Sequence, residues 1–212
     1  MMMTFETKYA PKTFADLIFP DAKTEQRLWQ YANNQRHDSL ILHGPYGTGK
    51  TTTARIVDTT RAKIDGYKSY SFYKACDMTF DSFGRIHNQQ MFLQLGTMDM
   101  PVTIIDEVDR IPIAIQYQLR WEIDMRGDKG CFILTTNKLH NVEKGLVDRC
   151  DVIELPAINV DQWFDRARWI LQQEGVQMPD AKLRELLDTC DGSIRDLLRA
   201  LKDAALQYPR SI

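Results

Sequence analysis

Short apolar runs alternate with amphipathic stretches through the first three quarters of the chain. Leu40-Ile41-Leu42, Tyr70-Ser71-Phe72-Tyr73, Val102-Thr103-Ile104-Ile105, Cys131-Phe132-Ile133-Leu134 and Val152-Ile153-Glu154-Leu155 are each strand-sized. Between them, residues 24–33, 50–60, 84–95 and 113–124 carry helical spacing. Strand and helix in turn predict an α/β fold with a five-stranded parallel sheet covered by helices on both faces. After Pro156 the pattern becomes helical only, over 160–174, 180–189 and 193–207. Leu183, Leu186 and Leu187, then Ile194, Leu197, Leu198 and Leu201, repeat at helical spacing. Gly175 and Asp191-Gly192 sit where helices end, and Asp161 and Ser193 are suited to cap the starts. The pattern divides the chain into an α/β domain, 1–155, and a small helical domain, 156–212. Residues 1–21, with Pro11 and Pro20, read as a loop-like leader.

Composition narrows the picture without choosing a function. The 212 residues are 43% hydrophobic and 26% charged, enough for one medium domain plus a small one. The formal net charge of -2, from 27 basic and 29 acidic residues, gives no global pull toward nucleic acid, so a polynucleotide site would be a local patch. Four scattered cysteines include no Cys-x-x-Cys pair, and no apolar run approaches the roughly 20 residues that span a bilayer. Residues 1–8 lack the apolar stretch of a secretory signal, which predicts reduced thiols and a cytoplasmic protein.

The chemistry is concentrated after the first strand. Gly44-Pro45-Tyr46-Gly47-Thr48-Gly49-Lys50-Thr51 is a complete Gly-x-x-x-x-Gly-Lys-Thr between a strand and a helix, the context of a P-loop. Its glycines let successive backbone N–H groups turn inward as an anion nest, and the following helix, opening Lys50-Thr51-Thr52, adds the positive end of its dipole. Lys50 is expected to reach the β- and γ-phosphates of ATP, and Thr51 to give its hydroxyl to Mg²⁺. The strand 102–105 then delivers Asp106-Glu107-Val108-Asp109. Asp106 is expected as the second metal residue and Glu107 as the base that orients and deprotonates the attacking water. Asp109 reads as a solvated or helix-capping residue. Asn137, ending the strand that starts at Cys131, is placed to position that water, although Asn after a strand is commonly a turn residue.

The order of these elements resembles the AAA+ family, and within it the ATPase subunits of sliding-clamp loaders such as replication factor C small subunits and phage loaders. The residues that carry the resemblance are Lys8-Tyr9-Ala10-Pro11-Lys12-Thr13-Phe14, the P-loop, Ile105 to Arg110, Gln116 to Arg120, the strand ending at Asn137, Asp148-Arg149-Cys150 and Gly192-Ser193-Ile194-Arg195. It implies that Tyr9, Pro11, Ile18 and Phe19 line an adenine pocket and that the helical domain is a lid whose Arg195 senses phosphate. It implies that Arg149 enters the ATP site of a neighbouring subunit, with Asp148, in place of the family's Ser, able to hold it when no partner is present. By the residues alone, Asp148-Arg149 is a surface pair and Arg195 an exposed first-turn arginine. The resemblance further implies other AAA+ subunits, a sliding clamp and primer-template DNA as partners, with Ser82, Arg85 and Gln116 facing the duplex. Arg120 would relay that contact toward Glu107 or pair with Asp124. Clamp-loader subunits carry a third, collar domain, which these residues are expected to lack. The implied function is ATP hydrolysis driving clamp loading in DNA replication, and the competing reading is a helicase loader or another ATP-dependent assembly switch.

Overall fold

The structure, a computed structural model, describes residues 3–65, 71–96, 101–127 and 130–207. Met1 of the leader and Tyr70 of the second expected strand lie outside the described residues. Five strands form one sheet: β1 (Ser39–His43), β2 (Ser71–Lys74), β3 (Val102–Asp106), β4 (Cys131–Thr136) and β5 (Cys150–Glu154). They are all parallel, in the order β2-β3-β4-β1-β5.

Successive side chains of each strand leave opposite faces, so each strand feeds two cores. Leu40, Leu42, Ile104 and Ile133 pack with Leu28 and Tyr31 of α2 (Ala22–Ala32) and Ala54 and Val57 of α3 (Lys50–Asp65). Ile41, Ile105, Phe132 and Leu134 face the other way. They meet Phe83 and Ile86 of α4 (Phe80–Gly96) and Ile115 and Leu119 of α5 (Ile113–Arg126). The continuous apolar runs of β1, β3 and β4 follow from burial on both sides.

After the short helix α6 (Lys144–Val147), a third core gathers α7 (Val160–Gln173), α8 (Asp180–Asp188) and α9 (Ile194–Gln207) through Trp163, Ala167, Leu183, Leu197 and Leu201. Ser193 caps α9, accepting from the Asp196 N–H. The cap of α7 is Asn159 rather than Asp161: a capping box joins Asn159 to Gln162, and the Asp161 N–H itself donates to Asn159. Asp161 instead pairs with Arg184 on α8.

The leader is not a loop. Thr4 caps a short helix, α1 (Phe5–Tyr9), and a 3₁₀ turn follows at Phe14–Asp16. Tyr9 is buried in the helical core, its ring edge-on to Trp169 and its hydroxyl donating to Glu174 Oε1 at 2.6 Å. Lys8 donates to the same oxygen. Phe14 packs in the sheet's core instead, so the leader spans both units. None of the described helices is long and apolar enough to cross a membrane.

Candidate active site

The strand order brings the chemistry together. With β3, β4 and β1 adjacent, their C-terminal ends open on one side of the sheet, the edge at which parallel α/β sheets bind ligands. The register sets Leu42 beside Thr135 and Ile105 beside Leu134, so residues just past these pairs converge.

Beyond His43 the loop turns through Gly47 and Gly49 at φ 80° and 85° and enters α3 at Lys50. Gly47 is required twice over. Its left-handed backbone suits glycine, and a Cβ there would stand 2.4 Å from Ser193 Oγ. The start of α9 rests directly on the loop, because the Ile194 N–H donates to the Gly47 carbonyl at 3.0 Å. Lys50 is buried and its ammonium donates to the Gly44 and Pro45 carbonyls, at 3.0 and 2.5 Å. Burial holds its pKa down at about 8, against the opposing attraction of Asp106 and with a contribution from Arg195.

Asp106 ends β3. Its Oδ1 accepts from two hydroxyls, Thr51 and Thr135, each at 2.6 Å. Glu107 follows at φ 61°, ψ 46°, an uncommon conformation for a residue other than glycine. Its N–H donates to Thr135 Oγ1 at 3.1 Å and its carboxylate meets Arg110 at 3.1 Å. Asp109 accepts the Thr136 hydroxyl at 2.7 Å, so it ties the β3 turn to the end of β4 instead of standing in solvent or capping a helix. Asn137 is half-buried at the mouth of the same strand, and its side chain makes no hydrogen bond among the described residues. Glycines that expose N–H groups, a lysine aimed at the loop, and a hydroxyl facing a carboxylate across the strands together fit a nucleotide polyphosphate with Mg²⁺.

Around this centre, Arg195 is exposed at the first turn of α9 and makes no ion pair among the described residues. Pro11, Ile18 and Phe19 are half-buried: Ile18 packs on the helical core and Phe19 on the sheet's core, at the seam between the two units. Tyr9 is committed to the helical core. Tyr46 and Pro45 are exposed at the loop tip.

Arg149 is exposed and held away from its neighbour in sequence. Its Nε donates to Asp124 at 2.5 Å and its Nη1 to the Gly145 carbonyl at 2.9 Å, so the holding carboxylate is Asp124 rather than Asp148. Arg120 pairs with Glu143 at 3.1 Å and with neither Asp124 nor Glu107. Two of the three residues expected to face DNA are buried. Ser82 bonds to Thr79, Arg85 and the Asp77 carbonyl. Gln116 donates to the Ile111 and Asn141 carbonyls and accepts from the Glu143 N–H. Only Arg85 is exposed. The sequence does not single out Thr135 or Glu143, and it offers Asp124 to Arg120, whereas the structure gives it to Arg149. Thr135 alone had a signal, since adjacent parallel strands put the residue after Leu134 beside Asp106.

Comparisons with known proteins bear on the family and the fold. The model of the ATPase family associated with various cellular activities (AAA) matches residues 40–156. Among curated proteins, the chain is 26% identical to the replication factor C small subunit of Thermofilum pendens over 200 residues, covering 93% of this chain and 61% of that protein. The Archaeoglobus fulgidus replication factor C small subunit is 26% identical over 201 residues, with coverages of 93% and 62%. The chain therefore spans about three fifths of the length of these relatives. Among solved structures, the Thermotoga maritima RuvB Holliday junction branch migration motor superposes with a TM-score of 0.71 at 18% identity, over 98% of this chain and 69% of that one. At that identity the likeness shows the fold alone.

Proposed function

The chain belongs to the AAA family of ATPases, and from that premise we propose that it hydrolyses ATP with Mg²⁺ as a subunit of a clamp-loader-type assembly in DNA replication. The observation that carries the reading is the convergence of Thr51 and Asp106, 2.6 Å apart, immediately behind Lys50 on the phosphate loop. A hydroxyl from the first turn of α3 and a carboxylate from the neighbouring strand are the two groups that a phosphate-bound magnesium ion needs from the protein.

In this reading Lys50 exchanges the Gly44 and Pro45 carbonyls for the β- and γ-phosphates, while the loop N–H groups from 46 to 52 donate to the remaining phosphate oxygens. Mg²⁺, when bound, supplies neutralisation of the charge that develops on the phosphates. Glu107 orients the water and accepts its proton, and Asn137 fixes that water from β4. Arg195, on a helix that already touches Gly47, reports the γ-phosphate to the lid. The adenine lies at the seam lined by Pro11, Ile18 and Phe19, with Tyr9 fixing the leader that forms one wall. Arg149 acts across an interface on the ATP of another AAA+ subunit, which ties hydrolysis to assembly. Arg85 is the residue retained for contact with primer-template DNA.

The test is co-purification with a replicative sliding clamp and, separately, a replicative helicase, each with an ATP analogue. Co-elution with the clamp, and ATPase stimulated by clamp plus primer-template DNA, is the expected result. Exclusive co-elution with the helicase would move the protein to the loaders of that ring.

A further inference from the structure

One buried hydroxyl joins the two carboxylates to which the proposed function gives different work. Thr135 is 1% exposed, near the end of β4. Its Oγ1 lies 2.6 Å from Asp106 Oδ1 and 3.1 Å from the Glu107 nitrogen. The proton assignment follows from the partners. The Glu107 N–H can only donate, so the hydroxyl oxygen accepts it, and the single hydroxyl proton goes to the carboxylate. Valine would fill the same volume in a β-strand interior, so packing alone does not call for the oxygen.

We propose that Thr135 is a positioning residue that fixes the metal-side carboxylate, Asp106, and the backbone of the water-activating residue, Glu107, through one hydroxyl. Asp106 Oδ1 has two hydroxyl donors in this structure, Thr51 and Thr135. Thr51 is the one that leaves when it turns to a cation. Thr135 then remains as the donor holding the carboxylate in place. On its other side, Thr135 anchors the N–H of a residue in the left-handed region, and the Arg110 N–H binds the Glu107 carbonyl at 2.9 Å. With both flanking peptides tied, Glu107 leaves the strand in one direction, and the reach of its carboxylate is set by β4. Residues behind a metal-binding group orient it in this way, at a cost of roughly 10- to 100-fold in metal affinity or activity when they are removed.

The inference rests on the proposed ATPase reading, and the experiment separates the two. Affinity for a fluorescent ATP analogue is measured with EDTA and with Mg²⁺ for the wild-type chain, Thr135→Val, Thr135→Ser and Lys50→Ala, with steady-state turnover alongside. Thr135→Val is expected to keep the EDTA affinity and lose about tenfold of the Mg²⁺-dependent gain, with kcat falling roughly 10- to 100-fold and KM little changed. Thr135→Ser, which retains the hydroxyl, is expected to restore both. A Thr135→Val chain with the full Mg²⁺ gain and wild-type kcat overturns the proposal while leaving the ATPase reading intact. Equal losses in the Val and Ser variants, with EDTA affinity lost as well, overturn it in favour of plain strand packing. Wild-type protein that binds no nucleotide overturns the ATPase reading and this inference together.

Discussion

Arg149 is held by Asp124, 25 residues earlier on α5, through a 2.5 Å hydrogen bond from its Nε, while the adjacent Asp148 is left to solvent. The pair lies on the surface, so its weight in stability is small and its effect on where the guanidinium points is large. If Arg149 serves a neighbouring subunit, the Asp124 contact competes with that service. Asp124→Ala is expected to raise turnover at low protein concentration without changing nucleotide affinity or melting temperature. Turnover against protein concentration checks it, and a curve identical to wild type would show that Asp124 restrains nothing.

The same arginine predicts rescue between two inactive chains. Arg149→Ala retains its own ATP site, and Glu107→Gln retains its own arginine. Mixed, they should recover part of the turnover, because one interface type then pairs an intact site with an intact arginine. A titration of one variant into the other, with assembly followed by light scattering, measures the recovery, and none at any ratio would leave Arg149 a surface residue.

Lys50 and Glu107 should separate binding from chemistry. Lys50→Ala removes a charge that the phosphates need in the ground state and should abolish ATP affinity. Glu107→Gln removes only the proton acceptor and should keep affinity within about threefold while turnover falls 100-fold or more. Calorimetric titration and phosphate release read the two effects, and equal loss of affinity in both variants would sink the role given to Glu107.

The low pKa of Lys50, about 8 because of burial, makes a signed prediction. The ordinary lysine value is 10.5, so between about pH 8 and 10.5 the unfolded chain holds the proton more tightly than the folded one. Lys50 therefore opposes folding most strongly below pH 8, and its contribution becomes less unfavourable as pH rises through that window. Phosphates favour the ammonium, so ATP binding above pH 8 must take up a proton. Affinity should fall by up to about tenfold per pH unit there. Calorimetry in buffers of different ionisation enthalpy detects that proton, and its absence at pH 9 would show that Lys50 is still charged.

Gly47→Ala tests the contact between the phosphate loop and the start of α9. The new Cβ would stand 2.4 Å from Ser193 Oγ at φ 80°, so α9 must withdraw or the loop must reshape. Weakened ATP binding together with increased amide exchange at Ile194, whose N–H now binds Gly47, is the expected result. Unchanged exchange at Ile194 would mean that the loop alone absorbs the substitution.

Much of this was legible in the chain. The five strands fall within two residues of their expected starts, because burial on both faces leaves apolar runs with little ambiguity. The phosphate loop was complete in its eight residues, since its conformation depends on glycines and a helix start that are local. Helix ends were less legible. Residues 84–95 were expected where α4 runs Phe80–Gly96, and Asp161 was expected where Asn159 caps, because several polar residues in a row can each offer a cap and only the backbone path selects one. The leader looked like a loop because α1 is too short to show a period. Its order comes from Tyr9 reaching Glu174, 165 residues away.

What the sequence by itself determined is the alternation of strands and helices and the residues at the strand ends, since period, glycine placement and capping act over a few positions. The tertiary structure alone decided which of those residues meet. Thr135 serves Asp106 across 29 positions because β4 lies between β3 and β1 in the sheet. Gln116 and Ser82, polar and exposed in expectation, are buried because α4 and α5 turn them inward, where they donate to the Ile111 and Asp77 carbonyls. Arg149 is bound by Asp124 instead of Asp148 for a similar reason: a long side chain takes the partner that the fold brings within reach, and chain proximity does not set that distance.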